Sequence, residues 1–433
     1  MSLRYGKKWL RKAQRDLKFF QPNRRELNFE ALLESDYPDE TIEKLFVTLY
    51  LEICQFVLQG FGKDVFSKSQ RSPWSPEYSA EFYGLVSKLA RPGADPRQWD
   101  SLLRERSERC ALLQGVILKA LEATVFSSLL FGATSEHKKL LAVEDSSLID
   151  VEGFRRTRLR AETNRLHLQS TDGMPWFFWK EVDRVTAQIM RMLLPVYSSI
   201  GHYIDGDNLH SSSQQSTTYQ ALHDLVAHAA WLSIAFRVSP KIVTWEWVRP
   251  GEPYKFEYYS IDSKKQQEME RFDPGEPRRQ RVMVCAAPLI NIHGNGTDGL
   301  LQGKVKFTIM RPQVVCYLGH RDDLVDERAM VPLHRHLRRT RAREHSVAGS
   351  IFWFLFQACL LGLVLVTMNA YFGRELETRK VDILEKVGLL SKHLASIADM
   401  KEPVASLSQA KESVAGGQGQ VLPEEAQEIL LKF

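Results

Sequence analysis

TYQALHDLVAHAAWLSIAFRVSPKIVTWEWV, residues 218–248, changes its hydrophobic period in the middle. Before Pro240 its apolar residues recur at helical steps, and the segment reads as a helix over 217–237. After Pro240, Ile242–Val248 is rich in valine, isoleucine and aromatic residues, the composition of a strand. The same division holds on either side. Upstream, helices are predicted over 39–61, 76–90, 96–107, 108–132 and 176–200. Asp95, Pro96 and Gln98 form one start signal, and Ser75 with Pro76 form another. Downstream, strands are predicted at Tyr254–Ile261, Arg281–Ile292, Lys304–Met310 and Gln313–Leu318, with a turn at Arg249, Pro250 and Gly251. The charged, proline-containing stretch 262–280 reads as a surface excursion. The fold class is therefore α+β, a mainly helical N-terminal region followed by an antiparallel sheet.

A different kind of segment follows. Ser346–Gly373 carries no charged side chain. As a helix it reaches about 42 Å at about 1.5 Å per residue, more than the roughly 30 Å hydrocarbon layer of a bilayer. A single transmembrane helix is expected over 346–373. Two other apolar runs do not qualify. Leu45–Phe61 carries Glu52, and Cys110–Ala133 carries Lys119 and Glu122. Charge at bilayer depth is costly, so both read as buried helices of a folded core.

Arg335, Arg338, Arg339, Arg341 and Arg343 precede the apolar segment. Arg374, Arg379 and Lys380 follow it, diluted by Glu375 and Glu377. Juxtamembrane positive charge stays on the cytoplasmic side, so residues 1–345 are placed in the cytoplasm. Beyond the segment, Leu376, Ile383, Val387, Leu390, Leu394 and Ile397 keep a heptad-like spacing. This reads as a short coiled-coil-like helix that could form a homodimer.

The net charge of +5 is mild, but the basic residues cluster. In residues 1–20, Leu3, Leu10, Ala13, Leu17 and Phe20 share one helical face, and Arg4, Lys7, Lys8, Arg11, Lys12, Arg15 and Lys18 fill the rest. That pattern fits a basic amphipathic helix on an anionic membrane surface. It competes with a solvated helix packed on the domain, and with an import presequence. No apolar run there serves as a secretory signal. The organisation is then 1–20 basic helix, 21–237 helical region and 238–325 β region of the same globular unit. A basic juxtamembrane segment at 326–345 and the membrane helix at 346–373 follow. The coiled-coil-like helix at 374–400 and a Ser/Gly/Ala-rich flexible tail at 401–433 complete it.

The five cysteines, Cys54, Cys110, Cys285, Cys316 and Cys359, form no Cys-x-x-Cys pair and read as free thiols in a reducing compartment. Gly294, Gly296 and Gly299 match a dinucleotide-binding spacing. A strand follows where a helix is required, however, so the segment reads as a hairpin loop. Asn295, Gly296 and Thr297 form an N-glycosylation sequon. Asp205–Ser216 lacks the sixth-position glycine and the terminal glutamate of a calcium loop. His223 and His228 are five residues apart and point in different directions on a helix, while Asp224 and His228 share a face. Two ligands do not make a metal site. Arg155, Arg156, Arg158, Arg160 and Arg165 read as a solvated helix face with local ion pairs, or as a site for anionic headgroups. Trp176–Trp179 reads as core or as a membrane-facing rim. Catalytic, cofactor and metal residues are therefore assigned to none of these positions.

Three stretches, Val116–Gly132, Thr218–Pro240 and Arg311–Gly319, together resemble a family of uncharacterised proteins of filamentous fungi, over roughly residues 20–320. The resemblance implies a shared fold for that part and brings no activity with it. The reading that follows is a single-pass membrane-anchored protein, with a cytoplasmic domain acting as a binding or scaffold module. Membrane lipids are its expected partners through the anchor and basic segments, and nucleic acid is not. The alternative is an enzyme with a pocket between the helical and sheet regions, using His223, Asp224, His228 or His293.

Overall fold

Two antiparallel sheets pack against a body of helices whose central member is buried on nearly every side. The computed structural model describes residues 17, 20–34, 37–63, 72–93, 98–151, 153–204, 212–255, 278–293 and 306–342. Beyond these it describes 353, 356–364, 366–368, 385 and 388.

After the short α1 (Ala31–Glu34), α2 spans Asp39–Phe61. Asp39 and Glu40 complement the positive end of its dipole, and Ile42, Phe46, Leu49, Ile53, Phe56 and Val57 form its buried seam. Helix α3 (Ala80–Leu89) starts later than Ser75 and Pro76 announce. The cap is Ser79, whose hydroxyl accepts the Phe82 amide at 3.1 Å. The preceding turn is held by Tyr78 donating to the Pro73 carbonyl and by Trp74 donating to that of Trp99.

Helices α4 (Gln98–Arg104) and α5 (Arg106–Leu121) follow. Leu112, Leu113, Val116, Ile117, Leu118 and Leu121 of α5 are fully buried. A helix whose apolar residues from Ala111 onward are buried on several faces belongs at the centre of a core. The expected single helix over 108–132 is interrupted, because Glu122–Phe126 forms a π turn. Its loosened carbonyls are met from outside. Val125 accepts the Ser233 hydroxyl at 3.1 Å, and Phe126 accepts the Arg237 guanidinium at 2.7 Å. Burial pushes Arg237 down to about 10, still charged at neutral pH.

Helices α6 (Ser135–Ser147) and α7 (Gly153–Gln169) add two helices to those expected. Thr134 caps α6 through the His137 amide. Helices α8 (Phe178–Ile204) and α9 (Ser212–Val238) pack against one another, and α9 buries Leu222, Val226, Ala229, Leu232 and Ile234.

The strands are β1 (Ile242–Glu246), β2 (Arg278–Ala287), β3 (Leu289–His293), β4 (Lys306–Met310) and β5 (Gln313–His320), followed by α10 (Asp323–Ala329). They make two antiparallel sheets, β1-β3-β4 and β2-β5, in place of one. Ala287 faces Gln313 and Ile290 faces Met310, so Pro288 and Pro312 fall in the gap between the paired stretches. Neither proline can donate to a ladder, and the long ribbon breaks where they meet. Gly251, at φ +94, turns the chain after β1 as the sequence anticipates.

Helix α5 lies on β2. A Cβ on Gly115 would sit 2.6 Å from the Cys285 carbonyl oxygen, so glycine sets the helix–strand distance. One hydrophobic cluster joins the helices to Met283, Val284, Ile290, Ile292 and Ile309 of the strands. The helical and β regions thus share a core.

The chain divides into two units, Met1–Val347 and Ala348–Phe433. Among the described residues, no helix is long and apolar enough to cross a membrane, so they do not support the single transmembrane helix expected at 346–373. The described portion of that stretch is helical, and Trp353, Phe356, Leu360, Leu361, Leu363, Val364, Val366 and Met368 are all exposed. The expected basic helix at 1–20 (apart from Leu17 and Phe20), the coiled-coil-like helix at 374–400 (apart from Glu385 and Gly388) and the tail at 401–433 lie outside the described residues. So do the strand beyond residue 255 and the 294–299 loop.

Candidate functional site: a cationic groove beside a buried histidine

A cavity of about 1080 Å³ is lined by Leu17, Phe20, Gln21, Pro22 and Arg24 of the N-terminal stretch and by helices α8 and α9. Its floor is apolar. Met190 and Leu194 are buried, and Phe20 meets Tyr219 edge-on at 5.8 Å. Its polar lining comes mainly from one stripe of α8. Lys180, Arg184, Ala187 and Arg191 recur at steps of three and four, which places them on one face. Arg24 joins them from the N-terminal stretch, giving four cations against one lining carboxylate, Asp183.

Those cations are differently engaged. Arg184 is paired with Glu181 at 2.8 Å. Arg24 sits over the Trp179 ring at 5.5 Å, and Lys180 over the Phe177 ring at 5.2 Å. Among the described residues, Arg24, Lys180 and Arg191 have no carboxylate within ion-pair distance.

His223 closes the inner wall. Its ring stacks on Trp179 at 5.8 Å, and Nε2 lies 3.0 Å from Asp183 Oδ1. Burial pushes the His223 ring below the ordinary histidine range, against the opposing pull of Asp183. The ring is therefore neutral at pH 7, with its proton on Nε2 toward the carboxylate. Nδ1 has no hydrogen-bond partner, and Asp224 is 4.0 Å from it. The side chain is only 1% exposed, so this lone pair does not face a substrate. Geometry comes before basicity for a general base.

The residues singled out in the sequence do not converge. His228 Nδ1 lies 2.9 Å from Glu52, which Arg25 grips with both terminal nitrogens at 3.0 and 3.1 Å. Burial would raise the Glu52 carboxyl, but hydrogen bonds from His228 and Arg25 outweigh it and hold it below the usual range. Asp224 accepts from Gln220 at 2.8 Å, and His293 meets the Thr244 hydroxyl at 3.2 Å on the sheet. Among the described residues, no group of three His, Cys, Asp or Glu side chains is placed to hold a metal. In the basic run of α7, Arg156 and Arg160 both grip Asp145 of α6. The aromatic run divides. Phe178 is fully buried, Trp179 lines the His223 stack, and Trp176 and Phe177 are exposed at 69% and 42%. All described cysteines are free, with Cys285 and Cys316 buried and Cys359 exposed.

Sequence reasoning missed the pairing of Asp183 with His223 and of Glu52 with His228, since each partner comes from a distant helix. The α8 stripe was readable, because Lys180, Arg184 and Arg191 keep helical spacing within a predicted helix. No protein-family model, curated protein or solved structure matches the chain.

Proposed function

We propose that this is a single-pass, membrane-anchored protein whose α+β domain faces the cytoplasm and serves as a non-catalytic binding or scaffold module. The observation that carries the reading is the uncharged stretch Ser346–Gly373, whose described side chains stand exposed on a helix. Such a surface is costly in water and favourable in lipid. The five arginines between 335 and 343 outnumber the three basic residues of the near flank after the stretch, Arg374, Arg379 and Lys380, and support a cytoplasmic domain. The histidines support binding over chemistry, because His223, His228 and His293 each turn one ring nitrogen to a different structural partner and do not converge on one site. The heptad-like spacing after Leu376 supports self-association of the tail.

Protease protection on intact microsomes, with a tag at each terminus, tests the topology. The N-terminal domain is expected to be digested while the C-terminal tag survives, with no glycan on Asn295. A protected domain with a glycosylated Asn295 would reverse the orientation. Complete release of the chain by alkaline carbonate would remove the anchor altogether.

A further inference from the structure

We propose that the groove lined by Arg24, Lys180 and Arg191 binds the phosphorylated headgroup of an anionic lipid, with Trp176 and Phe177 seated in the adjoining membrane surface. The proposal deepens the binding-module reading above by giving the domain a ligand class. It rests on that reading only in setting the domain beside a bilayer.

Charge and polarity together select the occupant. Arg24, Lys180 and Arg191 are exposed and have no carboxylate partner among the described residues, in a groove whose floor is apolar. Phosphate oxygens suit such a rim, and acyl carbons suit the Phe20, Met190 and Leu194 floor. The lining carboxylate, Asp183, is turned to His223 at 3.0 Å. In sequence, Arg4, Lys7, Lys8, Arg11, Lys12 and Arg15 precede Leu17, with Asp16 the one acidic residue among residues 1–17.

The exposed aromatics are a second, independent observation. Trp176 and Phe177 immediately precede α8, and Lys180 of the groove sits over the Phe177 ring. Their backbone is firmly mounted. The Phe177 amide donates to the Gly132 carbonyl at 2.9 Å, and Gly132, at φ +75, comes so close that an added Cβ would lie 2.7 Å from the Phe178 Cα. Tryptophan and phenylalanine beside lysine and arginine are the side chains that settle at headgroup depth. An acidic peptide would satisfy the rim but leave this apolar pair in water.

The test uses the full chain in detergent micelles, so it does not depend on the anchor spanning a bilayer. Binding of phosphatidic acid, phosphatidylcholine and inorganic phosphate is measured by native mass spectrometry. Phosphatidic acid is expected to bind saturably, and the combined Arg24→Ala, Lys180→Ala, Arg191→Ala variant to bind it on the order of 100-fold more weakly, near one kcal/mol per cation. All three side chains are exposed, and an unchanged thermal unfolding curve certifies the fold of the variant. In bilayer nanodiscs, brominated lipid is expected to quench wild-type fluorescence more than that of Trp176→Phe. Unchanged binding by the triple variant, or equal binding of phosphatidylcholine, overturns the proposal. Displacement of phosphatidic acid by equimolar inorganic phosphate or by polyglutamate overturns it too, since the site would then read a free anion or a peptide. Failure of the topology experiment alone would leave the binding result standing.

Discussion

Arg109 is the largest fully buried side chain in the domain, and its replacement is expected to be among the most destabilising. Its guanidinium donates to four backbone carbonyls. Nε reaches Phe61 at 2.8 Å, Nη1 reaches Leu103 and Arg104 at 2.8 Å each, and Nη2 reaches Lys63 at 2.5 Å. Phe61 ends α2 and Arg104 ends α4, so one cation serves the unsatisfied carbonyls and negative dipole ends of two helices. Each such hydrogen bond to a charged group contributes about 1.5–3 kcal/mol. The four are not additive, since water and local fraying recover part of the loss. Arg109→Met is therefore expected to cost at least about 4 kcal/mol, within the range for removing one member of a buried charged network. Arg109→Lys keeps the charge but loses the planar fork, and should fall between Met and wild type. Pulse proteolysis of the full chain across a urea series measures both. A Met variant with the wild-type midpoint would refute the reasoning, because it would mean that the helix ends are met by other donors.

Gly115→Ala places a methyl against the Cys285 carbonyl, a backbone atom that cannot swing aside, and should lower stability by about 1–3 kcal/mol in the same assay. Asp326→Ala removes the buried acceptor of Tyr317 at 2.7 Å and of the His320 amide at 3.0 Å, and the anion beside Arg281 and Arg91. A loss of about 3–5 kcal/mol is expected, with hydrogen exchange rising first in β5. For His223 the sign follows from its depressed pKa. The unfolded ring takes up a proton near pH 6.5 while the folded ring resists, so its contribution is whole above that pH and declines as pH falls through the window below it. Thermal unfolding of wild type against His223→Gln between pH 7.5 and 5 should show that slope in the wild type alone.

Much of this fold was legible because burial wrote a period into the chain. The α2 seam from Ile42 to Val57 repeats at helical steps, and the helix occupies the residues its pattern predicts. The strands at Ile242, Lys306 and Gln313 were readable from their β-branched and aromatic content, whereas the single strand expected over Arg281–Ile292 divides into β2 and β3. Helices α6 and α7 left little trace. The buried residues of α7 are Thr157, Ala161, Asn164 and Leu168, and α6 buries Leu141 alone. Small and polar residues packed on a neighbour raise no apolar signal, and the Arg156 and Arg160 pairs with Asp145 tie these helices through charge instead. The π turn was illegible for another reason. Its geometry depends on Ser233 and Arg237, more than a hundred residues away. The split of the sheet, by contrast, was available in Pro288 and Pro312, and only their pairing across the ribbon gives them meaning.

The site obeys the same division. A single helix wrote Lys180, Arg184 and Arg191 onto one face, and that much is local. What turns the stripe into a groove is tertiary, because Arg24 and Phe20 arrive from the N-terminal stretch and His223 from α9. The histidine shows why residue type misleads when read alone. Beside Asp224 in sequence it invites a metal or a base. In the fold, Asp224 stands 4.0 Å away, Asp183 of another helix accepts the Nε2 hydrogen bond, and Trp179 covers the ring. A neutral, buried imidazole held between an indole and a carboxylate makes a rigid inner wall. Rigidity there is what a groove of exposed, flexible cations requires, since ordering its side chains costs entropy that a fixed floor does not add to.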